Sequence, residues 1–284
     1  MIGVVDVGGG MRGIYAAGIF DYFMDYDINF DLCIGVSAGS ANVASYLAKQ
    51  RGRNYKFYTE YAFRKEYMSL HNYIHKGNYV DLDYVYGTLS NSHGEYPINF
   101  ENIEKSPSEF LVVATKAMDG ETVYFNKSDI KFDHYDIFKA SSDLPFVCEA
   151  YNIDGVEYFD GGLSDPIPVL KAFDMGCDKV VVILTKPLDT IRNSRRDNVV
   201  AHLIKNDYPK MAEVLSKRAE KYNEQVRLLK EYAESGKVLI IAPDDTCGVD
   251  TLEKKKENLD SLYLKGYKDA KNAIDFINKN KHIN

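Results

Sequence analysis

The sequence predicts an α/β fold, a three-layer sandwich in which a mostly parallel central sheet carries helices on both faces. Three observations carry this reading. Short apolar runs at residues 2–7 and 30–35 read as strands, and the runs at 179–185 and 237–242 read as strands buried in the sheet. The first two are each followed at once by a helical pattern, which is the strand–helix–strand–helix order of a parallel sheet. The composition, 45% hydrophobic and 27% charged over 284 residues, is that of a globular domain of the size α/β folds reach. No internal repeat and no linker interrupts the chain, so residues 1–284 are read as one domain.

The elements follow in order. Residues 2–7 form a strand that ends in glycines. Residues 11–26 place Ile14, Ala17, Ile19, Phe20 and Phe23 on one broad helical face. A second strand covers 30–35, and a helix of small residues covers 40–50. Residues 53–100 are dense in Tyr and Phe and lack strand alternation, so they are expected to form a cap of helices and loops. Residues 110–116 and 122–125 flank Met118-Asp119-Gly120-Glu121, a hairpin whose Asp-Gly turn permits positive φ. A helix is expected over 133–142, a short strand over 156–159 and a helix over 168–175, stopped by Gly176. The β-branched run 179–185 is a buried strand. A long amphipathic helix spans 207–235 and ends at Gly236, a further strand spans 237–242, and a helix spans 259–280.

Charge and composition remove several function classes. Lys and Arg number 35 against 42 Asp and Glu, a net charge of −7, which suits neither nucleic acid nor a coat of anionic lipid. No apolar run approaches the ~20 residues of a membrane span. The first residues lack a basic region and read as a strand, not a signal peptide, so the expected compartment is cytoplasmic. Cys33, Cys148, Cys177 and Cys247 lie far apart, without the spacing of a zinc site or a disulfide framework.

Three segments could carry chemistry. Gly8-Gly9-Gly10-Met11-Arg12-Gly13 joins a strand to a helix and aims backbone N–H groups outward, a setting that favours an anion. A plain turn, a cofactor phosphate and an oxyanion all fit it. The dinucleotide reading of Gly8, Gly10 and Gly13 wants an acid at the end of the second strand, and Gly35-Val36-Ser37 stands there instead. Gly35-Val36-Ser37-Ala38-Gly39 is a G-x-S-x-G pattern between an apolar strand and a small-residue helix, the context that exposes a nucleophilic serine on a tight turn. Asp160-Gly161-Gly162 is by itself an ordinary surface turn. It gains weight because a serine needs a base. His71, His75, His93, His134, His202 and His282 are placed as surface or boundary residues, whereas an Asp desolvated beneath a cap has its pKa lifted from about 3.9 toward the working pH.

Together these segments resemble the patatin-like phospholipase family of lipid acyl hydrolases. The glycine loop from Asp6 to Gly13 is similar to the family's oxyanion motif, and Gly35 to Gly39 to its nucleophile elbow. Ala140-Ser141-Ser142-Asp143-Leu144-Pro145 followed by Asp160-Gly161-Gly162 is similar to its Ala-Ser…Pro and Asp-Gly-Gly/Ala segments. The likeness covers roughly residues 1–185, with 186–284 as a helical and strand extension that matches only in general pattern. It implies a Ser37–Asp160 dyad that needs no histidine, metal or cofactor. It also implies an oxyanion hole made by the amides of Gly9, Gly10 and Met11, and Arg12 anchoring the loop or approaching a head group. The partners it implies are a lipid or ester substrate and a transient contact with a membrane surface, with no nucleic acid. Two other classes stay open at this level: a non-catalytic binding or regulatory protein of the same fold, and a dinucleotide-binding oxidoreductase.

Overall fold

The computed structural model describes residues 1–145, 150–252 and 255–278. Cys148, His282 and the last two residues of the helix expected over 259–280 lie outside these segments. The fold is α/β with a mixed, mostly parallel sheet. Its strands are β1 (Ile2–Asp6), β2 (Leu32–Val36), β3 (Glu109–Lys116), β4 (Thr122–Asn126), β5 (Tyr151–Ile153), β6 (Val156–Asp160), β7 (Lys179–Ile183) and β8 (Val238–Ile241). The order is β5-β6-β3-β2-β1-β7-β8, with β4 paired to β3. Strands β3, β2, β1, β7 and β8 run parallel, and β4, β5 and β6 are antiparallel additions.

The apolar runs are continuous because both faces of these strands are covered. Val4, Cys33, Val112 and Val181 point into one core, and Val5, Ile34, Val113 and Val182 into the other. The first core is closed by α1 (Ile14–Asp25), α2 (Ala38–Leu47), the aromatic segment 53–100 and the C-terminal helices. The second is closed by α7 (Val169–Asp174) and α9 (Pro209–Glu234). The aromatic segment is a cap, as expected: α3 (Arg53–Thr59), α4 (Leu70–Lys76), a π-helical turn at Tyr84–Leu89 and α5 (Phe100–Lys105).

The remaining helices are α6 (Asp136–Ser142), α7 (Val169–Asp174), α8 (Arg195–Ile204), α9 (Pro209–Glu234), α10 (Lys256–Asp269) and α11 (Asn272–Asn278). Three differences from the sequence expectation stand out. Residues 151–160 form a hairpin and not one strand, turning at Asp154 and Gly155, both at positive φ; this is an Asp-Gly signal like that of 119–120. The helix α8 precedes the long helix. The C-terminal helix is two helices that meet at Ala270 and Lys271. Helix α10 can lie directly on α1 because each helix offers a glycine where a side chain would not fit. A Cβ on Gly18 would stand 2.2 Å from the Tyr263 carbonyl oxygen, and one on Gly266 2.0 Å from that of Tyr15. No helix among the described residues is long and apolar enough to cross a membrane.

Candidate functional site

Ser37 stands between the last residue of β2 and the first turn of α2, with φ 56° and ψ −132°. A non-glycine residue in that region is strained, and such strain concentrates at functional turns. The flanking glycines make the turn feasible: a Cβ on Gly35 would stand 2.4 Å from Ser40 Cα, and one on Gly39 2.4 Å from the Asp6 carbonyl oxygen. Ser141 ties the turn down from α6. Its hydroxyl donates to the Val113 carbonyl at 2.6 Å and accepts the Ser37 amide at 2.9 Å.

Asp160 reaches Ser37 by an arrangement of strands. At Ala114 and Thr115, β3 pairs with β4 on one edge and with β6 on the other. At Leu111–Val113 it pairs with the same β4 and with β2. Strands β2 and β6 therefore share one edge of β3, end to end and pointing at each other. Val36 is opposite Val113, and Asp160 is opposite the next residue, Ala114. This places Asp160 beside the serine that follows Val36. Asp160 is buried, with 3% of its surface exposed. Its backbone amide donates to the Asp143 carbonyl at 2.7 Å, Thr115 Oγ1 donates to its carbonyl at 2.9 Å, and the Gly162 amide donates to Oδ1 at 2.7 Å. Burial pushes its pKa up, while the Ser37 hydroxyl, the Arg218 charge and the Gly162 amide hold it down. The net shift is upward, toward a carboxylate able to accept a proton. Gly161 has no room for a side chain, since a Cβ would stand 2.2 Å from the Val113 carbonyl oxygen.

The glycine loop lies between the ends of β1 and β7, where the chain, having moved outward through β2 and β3, returns to the other side of β1. Crevices at such switch points are where open α/β sheets bind ligands. Gly8, Gly9 and Gly10 have φ of +65°, +124° and +60°, which only glycine adopts readily in succession. The loop is held from below. Buried Asp6 accepts the Gly8 amide through Oδ1 and Asn42 Nδ2 through Oδ2, both at 2.9 Å, and Asn42 Nδ2 also donates to the Gly13 carbonyl at 3.0 Å. Burial lifts the Asp6 pKa to about 6 against these two hydrogen bonds. Thr185 Oγ1 donates to the Gly8 carbonyl.

The oxyanion hole differs from the expected set of Gly9, Gly10 and Met11 amides. The Met11 amide is not free to meet an oxyanion, because it donates to the Thr251 carbonyl at 3.0 Å. The Gly8 amide is likewise engaged by Asp6. The loop amides without a protein partner among the described residues are those of Gly9 and Gly10. Arg12 turns out to anchor the loop: Nη1 donates to Asp250 Oδ1 at 3.0 Å and to Thr251 Oγ1 at 2.9 Å.

Ser37 opens onto two cavities of opposite character. One, of about 200 Å³, runs under the cap and is lined by Phe57, Tyr58, Tyr67, Leu82, Val85 and Tyr86. The other, of about 470 Å³, holds Asp160 and the glycine loop and is walled by residues 185–197, Arg218, Tyr222, Asp250 and Thr251. Within the cap, Tyr61 is buried away from the first cavity and Phe63 is exposed at the surface. His71, His75, His93, His134 and His202 line neither cavity.

Sequence reasoning missed several contributors. Ser141 had a signal in the Ala-Ser…Pro segment, whose serine and Asp143 hold the backbones of Ser37 and Asp160. Arg218 had none: it lies on the polar side of a long amphipathic helix, yet its Nε donates to the Gly162 carbonyl at 2.9 Å and its Nη1 lies 3.5 Å from Asp197. Asn42 and Thr251 also gave no signal, since one is a lone polar residue in a small-residue helix and the other lies in a loop.

Fold and site define a class: an α/β protein with a strained serine elbow, a buried carboxylate beside it and a glycine loop at the switch point of the sheet. The comparisons identify the family. The model of patatin-like phospholipases matches residues 7–173, and the chain belongs to that family. A second model, a domain of unknown function, matches residues 208–280. The uncharacterized protein YjjU of Escherichia coli K12 is 33% identical over 191 residues, 66% of this chain and 52% of that protein, so the chain spans about half the length of this curated relative. The crystal structure of VipD from Legionella pneumophila aligns with a TM-score of 0.48 at 12% identity, covering 96% of this chain and 66% of VipD.

Proposed function

We propose that the protein is a serine-dependent lipid acyl hydrolase, a carboxylic ester hydrolase of the phospholipase A or lysophospholipase type. One observation carries the proposal: Ser37, beside the buried Asp160, sits where an apolar cavity meets a polar one. An ester presents the same two halves on either side of its carbonyl. The acyl chain enters the cavity under the cap, and the alcohol lies in the polar cavity.

In this reading Asp160 takes the Ser37 proton as Oγ attacks the carbonyl carbon. The Gly9 and Gly10 amides, with the dipole of the following turn, hold the oxyanion. The tetrahedral intermediate collapses, and Asp160 returns the proton to the leaving alcohol. Water then attacks the acyl-enzyme, gives its proton to Asp160, and releases the fatty acid as Ser37 recovers its own. The carboxylate suits both directions because burial has raised its pKa. Arg218 positions it by holding the Gly162 carbonyl.

The test is labelling of the pure protein with a fluorophosphonate, read by peptide mass spectrometry, alongside hydrolysis of p-nitrophenyl esters. A single adduct on Ser37 that is lost in Asp160→Asn is expected. A folded protein that takes no label and cleaves no ester would favour the non-catalytic binding reading.

A further inference from the structure

The polar cavity carries a charge that the dyad chemistry does not need. Five cations line it, Arg12, Lys186, Arg192, Arg196 and Arg218, against the three carboxylates of Asp160, Asp197 and Asp250. The excess is positive in a chain of net charge −7. Arg12 is spoken for by Asp250, and Arg218 by Asp197. Lys186, Arg192 and Arg196 have no carboxylate within ion-pair distance among the described residues. Arg192 instead lies over the Tyr222 ring, 5.1 Å from its centre, held there by its backbone: its amide donates to Asn223 Oδ1 and its carbonyl accepts Asn223 Nδ2, both at 2.9 Å. Arg12 is 8% exposed, and its Nε is buried without a hydrogen-bond partner among the described residues. Crowded like charges leave their mark. Burial and the charges of Arg12 and Arg192 press the Lys186 pKa down to about 8, and burial and Arg218 press that of Arg192 down to about 10. Unpaired, partly desolvated cations around an open cavity are costly, and an anion offsets that cost.

We propose that this cavity is an anion subsite that selects esters whose leaving alcohol carries a phosphate monoester, with Lys186 and Arg192 as its specificity residues and Arg12 and Arg218 at its floor. This rests on the acyl-hydrolase reading above. A phosphate monoester brings about −1.5 to −2 charges at neutral pH, which matches the excess of five cations over three carboxylates around the cavity. Guanidinium groups also meet phosphate oxygens in a fork geometry. A leaving group that ends in a quaternary ammonium carries a cation into the same wall and is disfavoured. The subsite is assembled mainly from residues 185–197 and α9, outside the motifs of the dyad.

The test compares kcat/KM for water-soluble hexanoyl glycerol 3-phosphate, hexanoyl glycerol and hexanoyl glycerophosphocholine. The phosphate monoester is expected to lead the other two by tenfold or more. Arg192→Gln and, separately, Lys186→Gln should each cut that lead by about tenfold, the loss of one hydrogen bond to a charged group. A ratio near one in the wild type overturns the proposal, and so does a lead that survives both substitutions. A preference that appears only with long-chain esters in anionic vesicles also overturns it, because the recognition would then belong to the surface. If no ester is cleaved, the hydrolase reading fails and calorimetry with glycerol 3-phosphate on the full chain decides the subsite alone. Saturable binding, weakened in Arg192→Gln, upholds the site, and no binding removes it.

Discussion

The two cavities that meet at Ser37 are built in different ways. The apolar one is largely the work of a single stretch, residues 53–90, whose aromatic and aliphatic side chains turn inward together. The cationic one is assembled from pieces far apart in the chain: the glycine loop, the turn after β6, residues 185–197, two residues of α9 and the Asp250-Thr251 pair. A wall made from one segment can drift by ordinary hydrophobic substitution and keep its character. A wall made from five depends on how the C-terminal third docks on the sheet. The second matched region, residues 208–280, is therefore part of the site, because it supplies Arg218, Tyr222, Asp250 and Thr251.

Ser37 opens onto both cavities, and loss of the proposed Ser37–Asp160 dyad gives the largest expected effect. Asp160→Asn keeps the shape and removes the base, and should lower kcat/KM on every ester by about 10²–10⁴-fold. Full retained turnover, measured with p-nitrophenyl butyrate, would remove Asp160 from the mechanism. Gly10→Pro, an obvious way to delete an oxyanion donor, is a poor instrument here, because Gly10 has φ +60° and proline needs about −65°.

Ser141→Ala comes next. It leaves the Ser37 amide and the Val113 carbonyl without their shared partner and should cost about 1–3 kcal/mol in denaturant unfolding, with kcat reduced as the elbow loosens. A variant with unchanged stability and kcat would show that Ser141 does not hold the turn.

The apolar cavity is sharpened by filling it. Val85→Phe should shift the preferred acyl chain to a shorter one, with about a fourfold loss of kcat/KM for each methylene no longer accommodated. A parallel loss at all chain lengths would mean that the chain does not bind under the cap.

The smallest effect expected is a shift in pH. A buried Asp160 with a raised pKa must be ionised to act as base, so kcat/KM should fall as pH drops through that pKa, at a higher pH than an ordinary carboxylate would give. Arg218 lowers this pKa, so Arg218→Gln should move the acid limb further toward neutral pH. An unmoved limb would assign it to another group. Stability responds to the same raised pKa values in the opposite direction. Raised carboxyl pKa values at Asp6 and Asp160 give a contribution that is present at low pH and lost as pH rises through them, near 6 for Asp6. Asp160→Asn should accordingly unfold at a higher temperature than the wild type near pH 8.

Much of the fold was legible because strands buried on both faces leave unbroken apolar runs, and glycines at φ +60° or more leave no substitute. The elbow and the glycine loop were legible for the same reason: local backbone geometry restricts which residues can stand there. The hairpin at Asp154-Gly155 carried its signal too, although the strand before it is only three residues long. The break of the C-terminal helix at Ala270 and Lys271 carried none, since neither residue is a strong helix breaker. The cap was legible as aromatic density, but which ring faces the cavity was not: Phe57 and Tyr67 line it, and Tyr61 and Phe63 do not.

By itself the sequence determined the sheet, the serine on its tight turn and the small-residue loop beside it. These depend on contacts within a few residues and on backbone angles that few side chains allow. Only the tertiary structure decided the rest. It set β6 end to end with β2 on one edge of β3 and so brought Asp160 to Ser37. It turned the Met11 amide toward Thr251 and left the Gly9 and Gly10 amides without a partner among the described residues. It gathered Lys186, Arg192 and Arg218 around one cavity. In the linear chain each of those cations is an ordinary polar residue on a loop or helix surface. They become a site through long-range docking, because charge acts through space and keeps no register with the chain.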